Sequence, residues 1–233
     1  MSAEPTRPER PEEDAVFELV AHEIRAPLTV ISGYLEILGR PVEEAVRARA
    51  LAESRRAIGR IDALLDDLLS AASAGEYLSP GERAPVSMAE LATDVVTVFS
   101  DTGDHPFTLE TESPGDVLGD AARLRQVLSN LVGNATAYTR PSARITVGVN
   151  RVGDSVIVTV EDEGPGIPEE ARDAAFERFE RLGADNSAYP GSGLGLYIVR
   201  AIVEAHGGSV RAEAGGGGRG AKFVIELPAS PGS

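Results

Sequence analysis

The sequence predicts an α-helical hairpin that forms a dimeric four-helix bundle, followed by an α+β sandwich. Three observations predict it. Two long helical apolar patterns, ending near Leu38 and Ala74, are separated only by the break Gly39-Arg40-Pro41. A turn-rich stretch, GEYLSPGERAPV over 75–86, then marks a domain boundary. Beyond it, short runs of β-branched residues alternate with helical patterns, which implies helices packed on a largely antiparallel sheet.

Residues 1–11 hold Pro5, Pro8 and Pro11 among charged residues and read as a flexible tail. Pro11 also suits the first turn of a helix, where its missing N–H costs nothing. The first segment lacks the apolar core of a signal peptide, and no apolar run approaches the ~18 residues of a membrane span. A formal charge of −15, with Lys222 the only lysine, argues against nucleic acid as a partner. There is no cysteine, so disulfides and thiolate sites are excluded, and His22, His105 and His206 are too scattered for a zinc cluster.

In the first helix, Phe17, Val20, Ile24, Leu28, Ile31, Leu35 and Leu38 fall within roughly 80° of arc at ~100° per residue. His22 lies near 200°, away from that stripe, which excludes a core role for it. Glu23 stands beside it, and Pro27 cannot donate to the Glu23 carbonyl, so the helix should bend there. An outward imidazole beside a carboxylate suits a nucleophile; a surface histidine in a kinked dimer helix fits the same residues equally well. The second helix repeats the stripe with Leu51, Ile58, Ile61, Leu65, Leu68 and Leu69. Two such helices bury both stripes only by pairing with a second copy, so a homodimer is expected.

In the second domain, helices are expected near 87–100, 120–138 and 194–206. Strands are expected near 106–112, 116–119, 143–151, 155–161, 209–214 and 221–227. Three segments carry chemistry. In RLRQVLSNLVGNATAYT, Asn130 and Asn134 share a stripe beside the apolar face of Leu124, Leu128, Leu131 and Ala135. Stacked carboxamides can serve Mg²⁺ and phosphate without adding negative charge, although a polar surface stripe is the commoner meaning of such a pattern. In VEDEGPGIP, Asp162 ends a strand and Gly164 and Gly166 let backbone approach a ligand; alone, the segment reads as an acidic turn. In GSGLGLYIV, Gly191, Gly193 and Gly195 precede a helix whose free N–H groups suit an anion. The long segment before it, 162–193, reads as a lid, with Phe176 and Phe179 as anchors and Arg178 and Arg181 as phosphate contacts.

Taken in order, these segments resemble the sensor histidine kinases of two-component signalling. AHEIRAPL is similar to the family's phosphoacceptor motif, and NLVGNATAYT to its asparagine motif. DEGPGIP and GSGLGL resemble the two glycine motifs, and FERF the phenylalanine motif. The resemblance implies a dimerisation and histidine-phosphotransfer domain over 12–76, a catalytic ATP-binding domain of Bergerat fold over 77–228, and a tail over 229–233. It implies that His22 attacks the γ-phosphate of ATP, with Glu23 as general base or orienting partner. Asn134 would hold Mg²⁺, with Asn130 assisting. Asp162 would accept from the adenine amine, Tyr138 would lie near the base, and Gly164 and Gly166 would shape that subsite. Arg178 and Arg181 would reach the γ-phosphate, and Gly191, Gly193, Leu194 and Gly195 would line the phosphates. The phosphoryl group would pass to an aspartate of a response-regulator receiver domain. A cytoplasmic location follows, either as a soluble kinase or as the cytoplasmic part of a larger sensor.

Two positions depart from the family pattern. Ala26 stands where the family usually has Thr or Asn to position a water, which implies weak phosphatase activity. Ala137 stands where many relatives have a phosphate-contacting lysine. The rival readings are a degenerate kinase that only binds ATP or a regulator, and another ATPase of the same fold, against which the histidine hairpin argues.

Overall fold

The computed structural model describes residues 11–72, 83–102, 105–180 and 193–230, with side chains of the first two helices described over 24–59 and at 61. Arg181, Gly191, most of the expected lid after Glu180 and most of the expected boundary and tails lie outside the described residues. The chain divides into two compact units, Met1–Leu68 and Leu69–Ser233.

The first unit is a hairpin of α1 (Pro11–Leu38) and α2, which runs Glu44–Ala72. Pro11 is the first residue of α1, where proline's fixed φ suits a helix start. Pro27 lies inside α1, and the Thr29 hydroxyl donates to the Arg25 carbonyl at 2.8 Å. The seam of the hairpin is built from small residues: Ala50, Ala57 and Pro27 are buried. The larger apolar side chains are left outside, with Leu28 48 %, Leu35 59 %, Leu51 45 % and Ile58 49 % exposed. Those four belong to the two stripes expected to meet a second copy. Among the described residues no helix is long and apolar enough to cross a membrane.

The second unit starts with β1 (Ala84–Ser87), which lies partly inside the stretch expected to be only turn. Tertiary pairing makes it a strand: Val86 pairs with Val117 of β3 (Asp116–Gly119), and both valines are buried. Helix α3 (Met88–Thr102) follows directly, then β2 (Phe107–Glu110), and β3 leads into α4, Ala121–Tyr138. Next come β4 (Ile145–Val152), β5 (Ser155–Asp162), α5 (Gly195–Ala205), β6 (Ser209–Ala214) and β7, Ala221–Pro228.

Five strands form one sheet in the order β2-β4-β5-β7-β6. All pairs are antiparallel except β2–β4, which is parallel because β3 and α4 intervene between them. Along β5 the period of two is complete: Val156, Val158, Val160 and Asp162 are buried, and the residues between them are half-buried. The helices α3, α4 and α5 cover that inner face. The alternation that buries three valines therefore carries a carboxylate into the same layer at the strand's end.

Candidate nucleotide site

Helix α4 is fixed at its start by Asp120, whose Oδ1 accepts from the Ala122 and Arg123 N–H groups at 2.9 and 3.2 Å. Its face of Leu124, Val127, Leu128, Leu131, Val132 and Ala135 is buried, so Asn130 and Asn134 emerge at the edge of the core, half-buried. The Asn130 Nδ2 donates to the Gly195 carbonyl at 3.2 Å. This bond joins the asparagine stripe to the first residue of α5. The Asn134 carboxamide has no hydrogen-bond partner among the described residues, which leaves its oxygen available to a cation. No cluster of three His, Cys, Asp or Glu side chains occurs among the described residues, so a hard cation here would rely on carboxamide and ligand oxygens.

The glycine turn before α5 is tight for a reason. Gly193 has φ +70°, and a Cβ there would lie 2.7 Å from the Phe179 carbonyl carbon. The Phe179 N–H donates to the Gly193 carbonyl at 3.0 Å, with Phe179 itself at φ +66°. The downstream end of the expected lid, Gly193, is thus joined through backbone to Phe179 within it. Leu194 is fully buried and offers no side-chain cap to α5, so the first N–H groups of the helix stay available to an anion. Phe176 anchors the upstream side as expected: it is buried edge-on against Phe223, with centroids 6.2 Å apart. Arg200 stacks over Phe176 at 4.8 Å and bridges to Glu177 at 3.2 Å. Arg178 is exposed, with its guanidinium 4.9 Å above the Phe179 ring.

Asp162 is only 5 % exposed. Its Oδ1 accepts from the Gly164 N–H at 2.7 Å and the Ala221 N–H at 3.3 Å. Burial pushes this carboxyl above its ordinary value; the two backbone N–H groups pull it back, Glu161 pushes it up, and Thr139 pulls it down. A carboxylate kept where burial disfavours its charge marks a candidate binding position. Glycine is required around it. A Cβ on Gly164 would lie 2.7 Å from Asp162 Oδ1 and 3.0 Å from the Tyr138 carbonyl. Gly166 (φ +76°) and Gly220 (φ +73°) pack backbone on backbone, and a Cβ on Gly220 would run into the Asp162 carbonyl. Tyr138 ends α4 beside this turn, half-buried.

Gly220, Ala221 and Thr139 were not among the residues the sequence singled out. Thr139 is buried next to the Asp162–Gly164 turn, and its hydroxyl lies 3.3 Å from where a Gly164 Cβ would sit. It has no well-formed hydrogen bond, yet lies near enough to the carboxylate to favour its ionised form weakly. The run of glycines just before β7 was the available signal for Gly220; Thr139 and Ala221 carry none. Among the described candidate residues, Asn130 thus bonds Gly195 near the middle of α4, and Tyr138 at its end lies against the Asp162–Gly164 turn. His22 and Glu23 lie in α1 of the other unit, and their side chains are outside the described set.

Comparison with known proteins identifies the family of both units. Residues 119–231 match the family model described as histidine kinase-, DNA gyrase B- and HSP90-like ATPase. Residues 14–76 match the His Kinase A (phospho-acceptor) domain. The probable sensor histidine kinase TcrY of Mycobacterium tuberculosis is 39% identical over 224 residues, covering 93% of this chain and 46% of the relative. The chain thus spans about half the length of that relative. Among solved structures, the mycobacterial sensor histidine kinase MprB superposes with a TM-score of 0.57 at 31% identity, over 64% of this chain and 99% of that one. Histidine kinase ThkA, solved in complex with response regulator protein TrrA, gives a TM-score of 0.63 at 27% identity, over 91% of this chain and 60% of that one.

Proposed function

The chain belongs to the sensor histidine kinases of two-component signalling, and on that premise we propose that it phosphorylates its own His22 from ATP and passes the phosphoryl group to a receiver-domain aspartate. The observation that carries the proposal is the Asn130–Gly195 bond, which ties the carboxamide stripe to the N-terminus of α5, in the same unit as the buried carboxylate that ends β5. In this reading Asp162 accepts from the exocyclic amine of the base, and Gly164, Gly166 and Gly220 let the ring approach backbone. Tyr138 lies at the edge of that subsite. Gly191, Gly193, Leu194 and Gly195 line the phosphates at the head of α5. Asn134, with Asn130, supplies carboxamide oxygen to Mg²⁺, which neutralises phosphate charge when bound.

A lone pair on one ring nitrogen of His22 forms the N–P bond as the bond from the γ-phosphorus to the bridging oxygen breaks, releasing ADP. Glu23 takes up the proton lost from the other nitrogen or orients the ring. Arg178 and Arg181 stabilise the transferring group. The exposed leucine and isoleucine stripes of the hairpin support a homodimer. Incubation with Mg-ATP followed by mass spectrometry under alkaline handling is the test. Phosphate is expected on the peptide that contains His22, and an unmodified peptide from nucleotide-binding protein overturns the proposal.

Two departures from the family pattern give further expectations. Ala26 is exposed on α1 one turn after His22, and a methyl group cannot hold a water. Ala26→Thr will speed dephosphorylation of the receiver by at least about tenfold, a low value for one positioned proton-transfer contact; an unchanged rate sinks the idea. Ala137 is exposed in the last turn of α4, three residues after Asn134. Ala137→Lys will tighten Mg-ATP binding by about threefold, as a partly screened surface charge allows; calorimetric titration checks it.

A further inference from the structure

We propose that His206 is a positioning residue of the nucleotide site: from α5 it completes the N-terminal cap of α4, and so sets the spacing of the two helices that carry the phosphate-binding groups. The proposal rests on the reading that Asn130, Asn134 and the Gly193–Gly195 turn hold the triphosphate.

An N-capping residue satisfies other N–H groups with its side chain, but its own N–H needs an acceptor. Helices often supply one from Glu or Gln three residues on. Here that position is Arg123, which has only donors. The acceptor comes from a different helix instead: the Asp120 N–H donates to His206 Nε2 at 3.1 Å. On the other side of the ring, Nδ1 lies 2.7 Å from the Ile202 carbonyl, which can only accept. The two bonds together select one neutral tautomer, with the proton on Nδ1. The ring is 6 % exposed and is boxed in by Gly119, where a Cβ would lie 2.7 Å from Cδ2.

This tie has a counterpart. Asp120 and His206 are joined at one end of the pair, Asn130 and Gly195 at the other. Ten residues of α4 separate its two attachment points and eleven separate those of α5, about 15 and 16 Å at 1.5 Å per residue. The helices therefore run antiparallel with nearly matched spans between two clips. Releasing the His206 clip leaves the two helices tied at the Asn130–Gly195 end, and lets the head of α5 shift against the asparagine stripe.

The test uses polar variants of the whole chain. His206→Asn keeps a donor near Nδ1 and removes the acceptor, whereas His206→Gln places an acceptor near Nε2. The Asn variant is expected to raise KM for ATP in autophosphorylation about fivefold, the size of one hydrogen bond, with kcat changed by less than about twofold. The Gln variant is expected to restore KM. Adding Arg123→Glu to His206→Asn supplies a local capping acceptor; Tm should recover while KM stays raised, because the tie between helices is still missing. The proposal is overturned if Arg123→Glu restores KM, or if His206→Asn lowers Tm alone. Asn134→Ala separates the premise from the inference. If it too leaves KM unchanged, the site reading fails; if it raises KM and His206→Asn does not, only the clip fails.

Discussion

His22→Gln will abolish autophosphorylation while leaving Mg-ATP binding within about twofold of the parent chain. Glutamine has similar length and polarity but no ring nitrogen with a nucleophilic lone pair, so the N–P bond cannot form. The loss should reach the detection limit, not merely a fraction of the rate, because the chain holds only two other imidazoles, His105 and His206, and His206 is buried with both nitrogens engaged. Binding should survive because Asp162 and the residues of α4 and α5 proposed to hold the phosphates lie within the second unit. Labelled phosphate retained by the variant would mean that another side chain is the acceptor. Loss of nucleotide binding in the same variant would mean that the two units do not act as separate parts.

Asp162→Asn will weaken Mg-ATP binding by between roughly tenfold and a hundredfold, as expected for a charge-assisted hydrogen bond lost from a buried site. It will not lower the thermal stability of the nucleotide-free protein at neutral pH. The sign follows from the carboxyl's raised pKa, caused first by burial. A native-state value above the unfolded one means that the folded chain holds the proton more tightly. Between those two values stability falls as pH rises, and above them the full cost of the buried charge remains. The amide removes that cost, and its oxygen can still accept from the Gly164 and Ala221 N–H groups. Thermal melts of both proteins from pH 4 to 8, without nucleotide, check this. The parent should lose stability relative to the variant as pH rises, and a variant that melts lower throughout would show that the carboxylate is a net structural asset.

Much of the fold was legible because its signals are local. Periodicity marked α1, α2, α4 and α5, and the adjacent strand runs expected at 143–151 and 155–161 marked the β4–β5 hairpin, each to within a few residues of the observed ends. β1 was not legible: four residues that include Pro85 have no strand pattern of their own and become a strand only by pairing with β3. In the site, Asp162, Gly164 and Gly166 stood out because they crowd into one turn. Ala221, 59 residues away, did not, since a backbone N–H has no residue type to announce it.

By itself the sequence determined the helical hairpin, its two apolar stripes, and the identity of the chemical groups: an imidazole beside a carboxylate, two stacked carboxamides, a strand-end aspartate and glycine turns. These depend on spacing within one element, and spacing is written directly in the chain. Only the tertiary structure decided that β2 runs parallel to β4, that Asp162 is buried and held by the start of β7, and that α4 and α5 are clipped at both ends by Asn130 and His206. Those are contacts between residues far apart in the chain. Their free energy depends on burial and on which backbone groups remain unpaired, quantities that exist only once the elements have packed.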